Sequence, residues 1–192
     1  MKNILLLLPL ITLLSACGSQ NLKPIHTVEH VDLERFMGEW YVVANIPTFI
    51  ETDAYNAIET YAMNDDGSIA TTFTFHDGSP DGELKKYEPT GFIVDEQSNA
   101  LWDMQFIWPF KAEYRVIYLD ADYQTTIIGR TKRDYVWLMS RQSKIEDSSY
   151  ASLLTFLEEQ GYDINKVQKV PQVWSREIVN EINIDSNEGK AQ

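Results

Sequence analysis

The stretch MGEWYVVANIP, residues 37–47, sets Trp40 two positions after Gly38 at the head of an apolar run that reads as a β-strand. A tryptophan in that place either lines a pocket or plugs a core. Which of the two holds decides whether the rest of the chain is the wall of a binding site or solid packing.

Downstream, short β-like runs are separated by turn clusters at 64–67, 77–82, 95–99, 120–122 and 131–133. They divide the chain into expected strands near 39–46, 54–63, 68–76, 83–94, 100–107, 112–120, 122–130 and 134–141. Eight strands on short connections suit an all-β, antiparallel up-and-down barrel, which closes its own edges. The period then changes. Tyr150, Leu153, Leu154 and Leu157 fall on one face of a helix, which Asp147 or Ser148 can cap and Gly161 can end. A single apolar stripe must be buried, so the helix is expected to pack on the outside of the barrel. A last short strand is expected within 166–173, followed by an acidic, polar tail, 176–192, expected to be disordered.

The chain opens differently. Residues 1–16 hold one basic residue, an apolar run and small residues, the pattern of an export signal too short to span a bilayer. Leu14-Ser15-Ala16-Cys17 resembles the lipobox of bacterial lipoproteins. That resemblance implies a diacylglyceryl thioether and an acylated amine on Cys17, the only cysteine, and Gly18 after it implies sorting to the outer membrane. Two or more acyl chains make a stable anchor. Residues 17–28 then read as a lipidated tether and 29–175 as the folded domain.

The 192 residues suit one domain. A net charge of −13 argues against nucleic acid, whose phosphates need clustered Lys and Arg. The three histidines, His26, His30 and His76, lack metal-ligand spacing, and no nucleophile elbow or phosphate loop is present. No cofactor, metal or catalytic residue is assigned.

Three stretches then carry a resemblance: Gly38-Glu39-Trp40-Tyr41, Thr125 to Arg130 after Asp120-Ala121-Asp122-Tyr123, and Arg133 to Arg141. In order and spacing they resemble the lipocalins, and among them the bacterial outer-membrane lipoprotein lipocalins. Phe106-Ile107-Trp108-Pro109-Phe110 is similar to a further stretch of that bacterial subgroup. The resemblance implies that Trp40 points inward at the closed end of the barrel with Arg141 across it, a structural pair beside Gly38.

With that register, alternation along each strand sends Met139, Trp137 and Tyr135 inward. It also gives an inner list of Trp102, Met104, Phe106, Tyr114, Val116, Tyr118, Ile127 and Gly129, with Phe73, Phe75 and Tyr61. Trp137, Trp102 and Phe106 are the expected ligand-facing anchors. Lys111 is the candidate for an anionic head group. Glu59 shares the parity of Tyr61, and an inward carboxylate there either sits at the wet mouth or repels that of a fatty acid.

The expected function is a lipid-anchored, periplasm-facing lipocalin of the outer membrane that stores or transports a fatty acid or lysophospholipid, and not an enzyme. An enzyme on the same fold and a filled barrel acting as an interaction module are the rival readings. A homodimer stays open.

Overall fold

A computed structural model describes residues 23–174. Cys17, the export signal and the 176–192 tail lie outside the described residues. A short helix α1 (Leu33–Phe36) leads into β1 (Gly38–Ile46), and the chain then meanders through β2 (Ala54–Met63), β3 (Ile69–Asp77), β4 (Glu83–Tyr87), β5 (Thr90–Ile93), β6 (Leu101–Ile107), β7 (Phe110–Leu119), β8 (Thr125–Gly129) and β9 (Val136–Ser140). Helix α2 (Asp147–Glu159) and a two-residue strand β10 (Gln168–Lys169) follow.

Every pairing is antiparallel, and β9 returns to pair with β1, so the sheet closes. The expected strand 83–94 is broken at Glu88-Pro89 into β4 and β5, which pair successive parts of β3. Proline has no N–H to give to a ladder, and it sits between the two pieces. Counted as one, these two pieces make the barrel eight-stranded.

The ends differ in construction. Loops 64–68, 94–100 and 120–124 gather with α1 at the closed end. The opposite end, the mouth, is bordered by loops 47–53, 78–82, 130–135 and the β6–β7 hairpin.

Helix α2 packs on the outer face as its stripe demands. Leu153 and Leu157 are buried against Val43, Ala44, Ile117, Ile127, Val136 and Leu138. Its N-cap is Glu146, not Asp147 or Ser148, and the cap side chain makes no bond to the helix. Gly161 does take a left-handed φ of 88° just past its end.

The expected last strand is shorter than 166–173. β10 pairs Ala44 and Asn45, and the segment after it stitches β1 to β2, with the Gln172 side-chain amide donating to the carbonyls of Val42 and Ala57. At the other end of the domain, residues 23–28 do not hang free as a tether. Ile25 is buried, the Val28 N–H donates to the Val116 carbonyl, and the Arg133 guanidinium donates to the Lys23 carbonyl at 2.6 Å.

Candidate ligand-binding site

The floor of the barrel is built around Trp40, which is fully buried. Its Nε1 donates to the Phe36 carbonyl at 2.9 Å, which ties the indole to the end of α1. Arg141 lies over the ring with Cζ 3.8 Å from the centroid. The guanidinium also donates to four carbonyls, those of Glu39, Arg35, Phe36 and Met37, at 2.6–3.0 Å. A desolvated cation on an indole face is favourable by roughly 0.5–2 kcal/mol, and the Arg35 and Met37 carbonyls at the end of α1 are acceptors that find no partner within so short a helix. Gly38 takes φ 93°, which an L side chain adopts only with strain, and an added Cβ would lie 3.4 Å from Arg141 Nη1.

Above the floor the aromatics form a column. Phe36 meets Trp40, Tyr61 and Trp102 at centroid distances of 5.1–5.6 Å. Trp102 stacks on Tyr114 at 5.2 Å, and Tyr114 on Trp137 at 6.5 Å, so three rings climb from floor toward mouth. Phe73, Phe75 and Tyr87 make a second group on the β3–β4 wall.

Polar groups interrupt this lining. Glu59, opposite Trp40 on β2, faces inward and is buried, and its carboxylate accepts from the Tyr61 hydroxyl, which also meets that of Tyr114. Burial dominates and pushes the Glu59 carboxyl up to about 7, with the charge of Glu51 adding to it and the tyrosine bonds opposing it.

Nearer the mouth, Glu51 dips inward from loop 47–53 and is 2% exposed. It accepts from Trp137 Nε1 at 3.2 Å and from the backbone and hydroxyl of Thr48 at 3.0 Å. Burial raises its pKa too, against the lowering effect of these donors and of nearby Asn45. Asn45 pairs with Trp137 and shares its inward side. It is 1% exposed, and among the described residues neither its amide nitrogen nor its oxygen has a partner in hydrogen-bond geometry.

Most of the expected lining faces inward: Phe73, Phe75, Tyr61, Trp102, Met104, Tyr114, Val116 and Met139 are buried in the barrel core, with Trp137 packed against it. Trp102, however, belongs to the floor with Phe36 and Tyr61 and is completely buried, so it is not the open wall expected of an anchor.

Four positions depart from the expectation. The register of β7 shifts between Val116 and Tyr118, a bulge that reverses the alternation and turns Tyr118 outward onto Phe156 of α2. Ile127 lies on the outer face under α2, and Ile128, opposite Trp137, is the inward residue. Gly129 shares the outer side, where an added Cβ would strike the Tyr162 hydroxyl at 2.6 Å. Phe106 lies beyond the register shift in β6 and is 49% exposed at the rim.

Lys111 also points away from the interior, its Nζ 3.9 Å over the ring of Phe92. The cation on the inner side of the rim is Lys85, which pairs with inward Phe75 and is bridged to Glu83 at 2.7 Å. The sequence pointed to neither Lys85 nor Asn45. Parity along β3 and β4 would have found the lysine once the break at Pro89 was placed, whereas the shift between Val42 and Ala44 conceals the asparagine.

A closed eight-stranded barrel with a sealed floor, an aromatic interior and a few inward polar groups is an architecture that can be filled by its own side chains or hold one small ligand. Residues 31–172 match the model of the lipocalin-like domain, and the chain belongs to that family. It is 32% identical over 159 residues to temperature-induced lipocalin-1 of Arabidopsis thaliana, covering 78% of this chain and 84% of the relative. The outer membrane lipoprotein Blc of Citrobacter freundii is 30% identical over 162 residues, covering 83% and 90%. Among solved structures, insecticyanin of the tobacco hornworm Manduca sexta shares the fold with a TM-score of 0.62 at 15% identity, covering 81% of this chain and 87% of that one.

Proposed function

We propose that this protein is an outer-membrane lipoprotein, anchored through Cys17, that holds an acylated lipid in its barrel by reversible, non-covalent partition. The observation that carries the reading is the buried Asn45 amide, which faces into an aromatic barrel beside Trp137 and the Glu51 carboxylate without a partner in full hydrogen-bond geometry. A buried polar group without a partner costs about 1–3 kcal/mol, and a ligand with an ester or hydroxyl near its polar end would supply one. The acyl chain then lies along Trp137, Phe75 and Tyr87.

The charges narrow the class. Glu51 faces the interior beside Asn45, so the carboxylate of a fatty acid held there meets a buried acidic group. An acyl glycerol backbone brings no charge to Asn45, and a phosphate beyond it would reach Lys85 at the rim. Lysophospholipid is therefore favoured over free fatty acid as the ligand. Burying a chain of ~16 carbons releases on the order of 10 kcal/mol gross at about 0.8 per CH₂, before the loss of ligand freedom.

Lysophospholipid added to the folded protein is expected to raise its melting temperature and change tryptophan emission. Asn45→Leu should weaken that response about tenfold, a loss of about 1.4 kcal/mol, while palmitate should bind more weakly than lysophospholipid above pH 7. If neither lipid alters emission or melting temperature, the reading fails.

A further inference from the structure

The mouth of the barrel carries a group of exposed apolar side chains on its rim. Phe49 at the tip of loop 47–53 is 89% exposed, and Ile107, Trp108 and Phe110 on the β6–β7 hairpin are 72–81% exposed. With half-exposed Phe106, the large aromatic side chains most open to water stand at one end of the molecule. Single exposed apolar residues are ordinary, but such a group on neighbouring loops marks an interaction surface.

Two further features say what covers it. The first described residue, Lys23, is held by Arg133 in loop 130–135, so the chain enters the domain at the mouth and not at the closed end. Cys17 lies six residues before it, a reach of about 20 Å at most for a fully extended chain. The ten residues of β2 alone run about 33 Å along the strand from mouth to floor. A lipid on Cys17 is therefore kept on the mouth side of the barrel.

Charge agrees with this placement. The closed end exposes Asp65, Asp66, Glu96 and Asp122, with Arg35 on α1 an exposed cation beside them, whereas the mouth mixes exposed Lys23, Lys111 and Lys132 with Asp53, Asp77, Asp81 and Glu83. An anionic surface repels the first end more than the second.

We infer that the mouth is the face this protein lays on a lipid bilayer, with Phe49, Ile107, Trp108 and Phe110 entering the headgroup region, so that ligand passes directly between bilayer and calyx. The inference rests on the anchored lipid-binding reading for its anchor, while the apolar rim stands independently of it. Tryptophan suits such a boundary because its ring is apolar and its N–H stays wet.

The test uses the mature full-length chain, purified with its own lipid and reconstituted in phosphatidylcholine–phosphatidylethanolamine vesicles. Phe49→Cys, Trp108→Cys and, at the closed end, Asp65→Cys each carry one fluorescent label. All three side chains are exposed, so folding is spared. Aqueous iodide is expected to quench the labels at 49 and 108 about fivefold less than the label at 65, since interfacial side chains sit roughly 5–10 Å deep.

The intact mass of the purified chain reports the anchor separately. A lipidated chain with equal quenching at all three sites overturns the inference and leaves the anchor standing. An unlipidated chain, made again with Cys17→Ser so that the label stays at one site, that still shields 49 and 108 on added vesicles supports the inference and removes the anchor. Shielding that follows protein concentration, with or without vesicles, assigns the patch to a second copy and overturns the inference.

Discussion

Trp40→Ala is expected to cost about 3–5 kcal/mol, the range for removing a fully buried large aromatic, and to lower the melting temperature by on the order of 10 °C. The indole closes the floor through three couplings at once: its bond to Phe36, its ring contact with Phe36, and the Arg141 cation above it. Removing it leaves a cavity beneath Glu59 and takes the ring from under a guanidinium that holds the end of α1. Trp108→Ala is the matched control. At 81% exposure it should change stability by no more than about 0.5 kcal/mol. Denaturant midpoints of the two variants give the comparison directly. A loss below about 1 kcal/mol for Trp40→Ala would contradict the sealed floor.

The second large effect is a stability that depends on pH through Glu59. Its folded pKa of about 7 stands above the ordinary value of 4.5. The native state thus keeps a proton that the unfolded chain has already released. The stability due to this group is fully present below pH 4.5 and is lost as pH rises from 4.5 to 7, by about 3 kcal/mol at 1.36 per unit. Glu59→Gln keeps an acceptor for the Tyr61 hydroxyl and removes the buried charge. The variant should match the parent near pH 4 and exceed it by up to about 3 kcal/mol at pH 8. The difference between the two, measured by urea unfolding across that range, should rise through pH 5–7. A difference independent of pH would show that Glu59 does not titrate in the interior.

How much of this was legible in the sequence follows from where alternation is reliable. Gly38, Trp40 and Arg141 sit as the family resemblance implied, and Phe73 and Phe75 alternate against exposed or half-exposed neighbours on β3. That strand shows one face to the core and the other to water, so its pattern names its own inward side. β8 has no such contrast. Four of its five residues, Thr126 to Gly129, are buried because α2 covers the outer face, so nothing in TTIIG distinguishes Ile127 from Ile128. The bulges at Val43 and Ile117 are invisible for the same reason: each inserts an apolar residue between two apolar faces.

The site itself was legible in its aromatics and not in its polar groups. Trp137 and Met139 could be placed by parity from Arg141, and Tyr114 once the subgroup resemblance set the register of its strand. Glu51 could not, since it reaches the interior from a loop where no period applies, and only the fold brings it to Trp137. Lys111 and Lys85 show the same limit from the other side. Both lie near the mouth, and the choice between them turns on a strand break whose effect on register a single sequence does not display.

A calyx that holds lipid is most directly tested by native mass spectrometry of the purified, folded protein. The expected result is a population heavier by one acyl lipid per barrel, released on unfolding, which added lysophospholipid restores after delipidation. A bare barrel mass that persists in excess lysophospholipid would contradict the account.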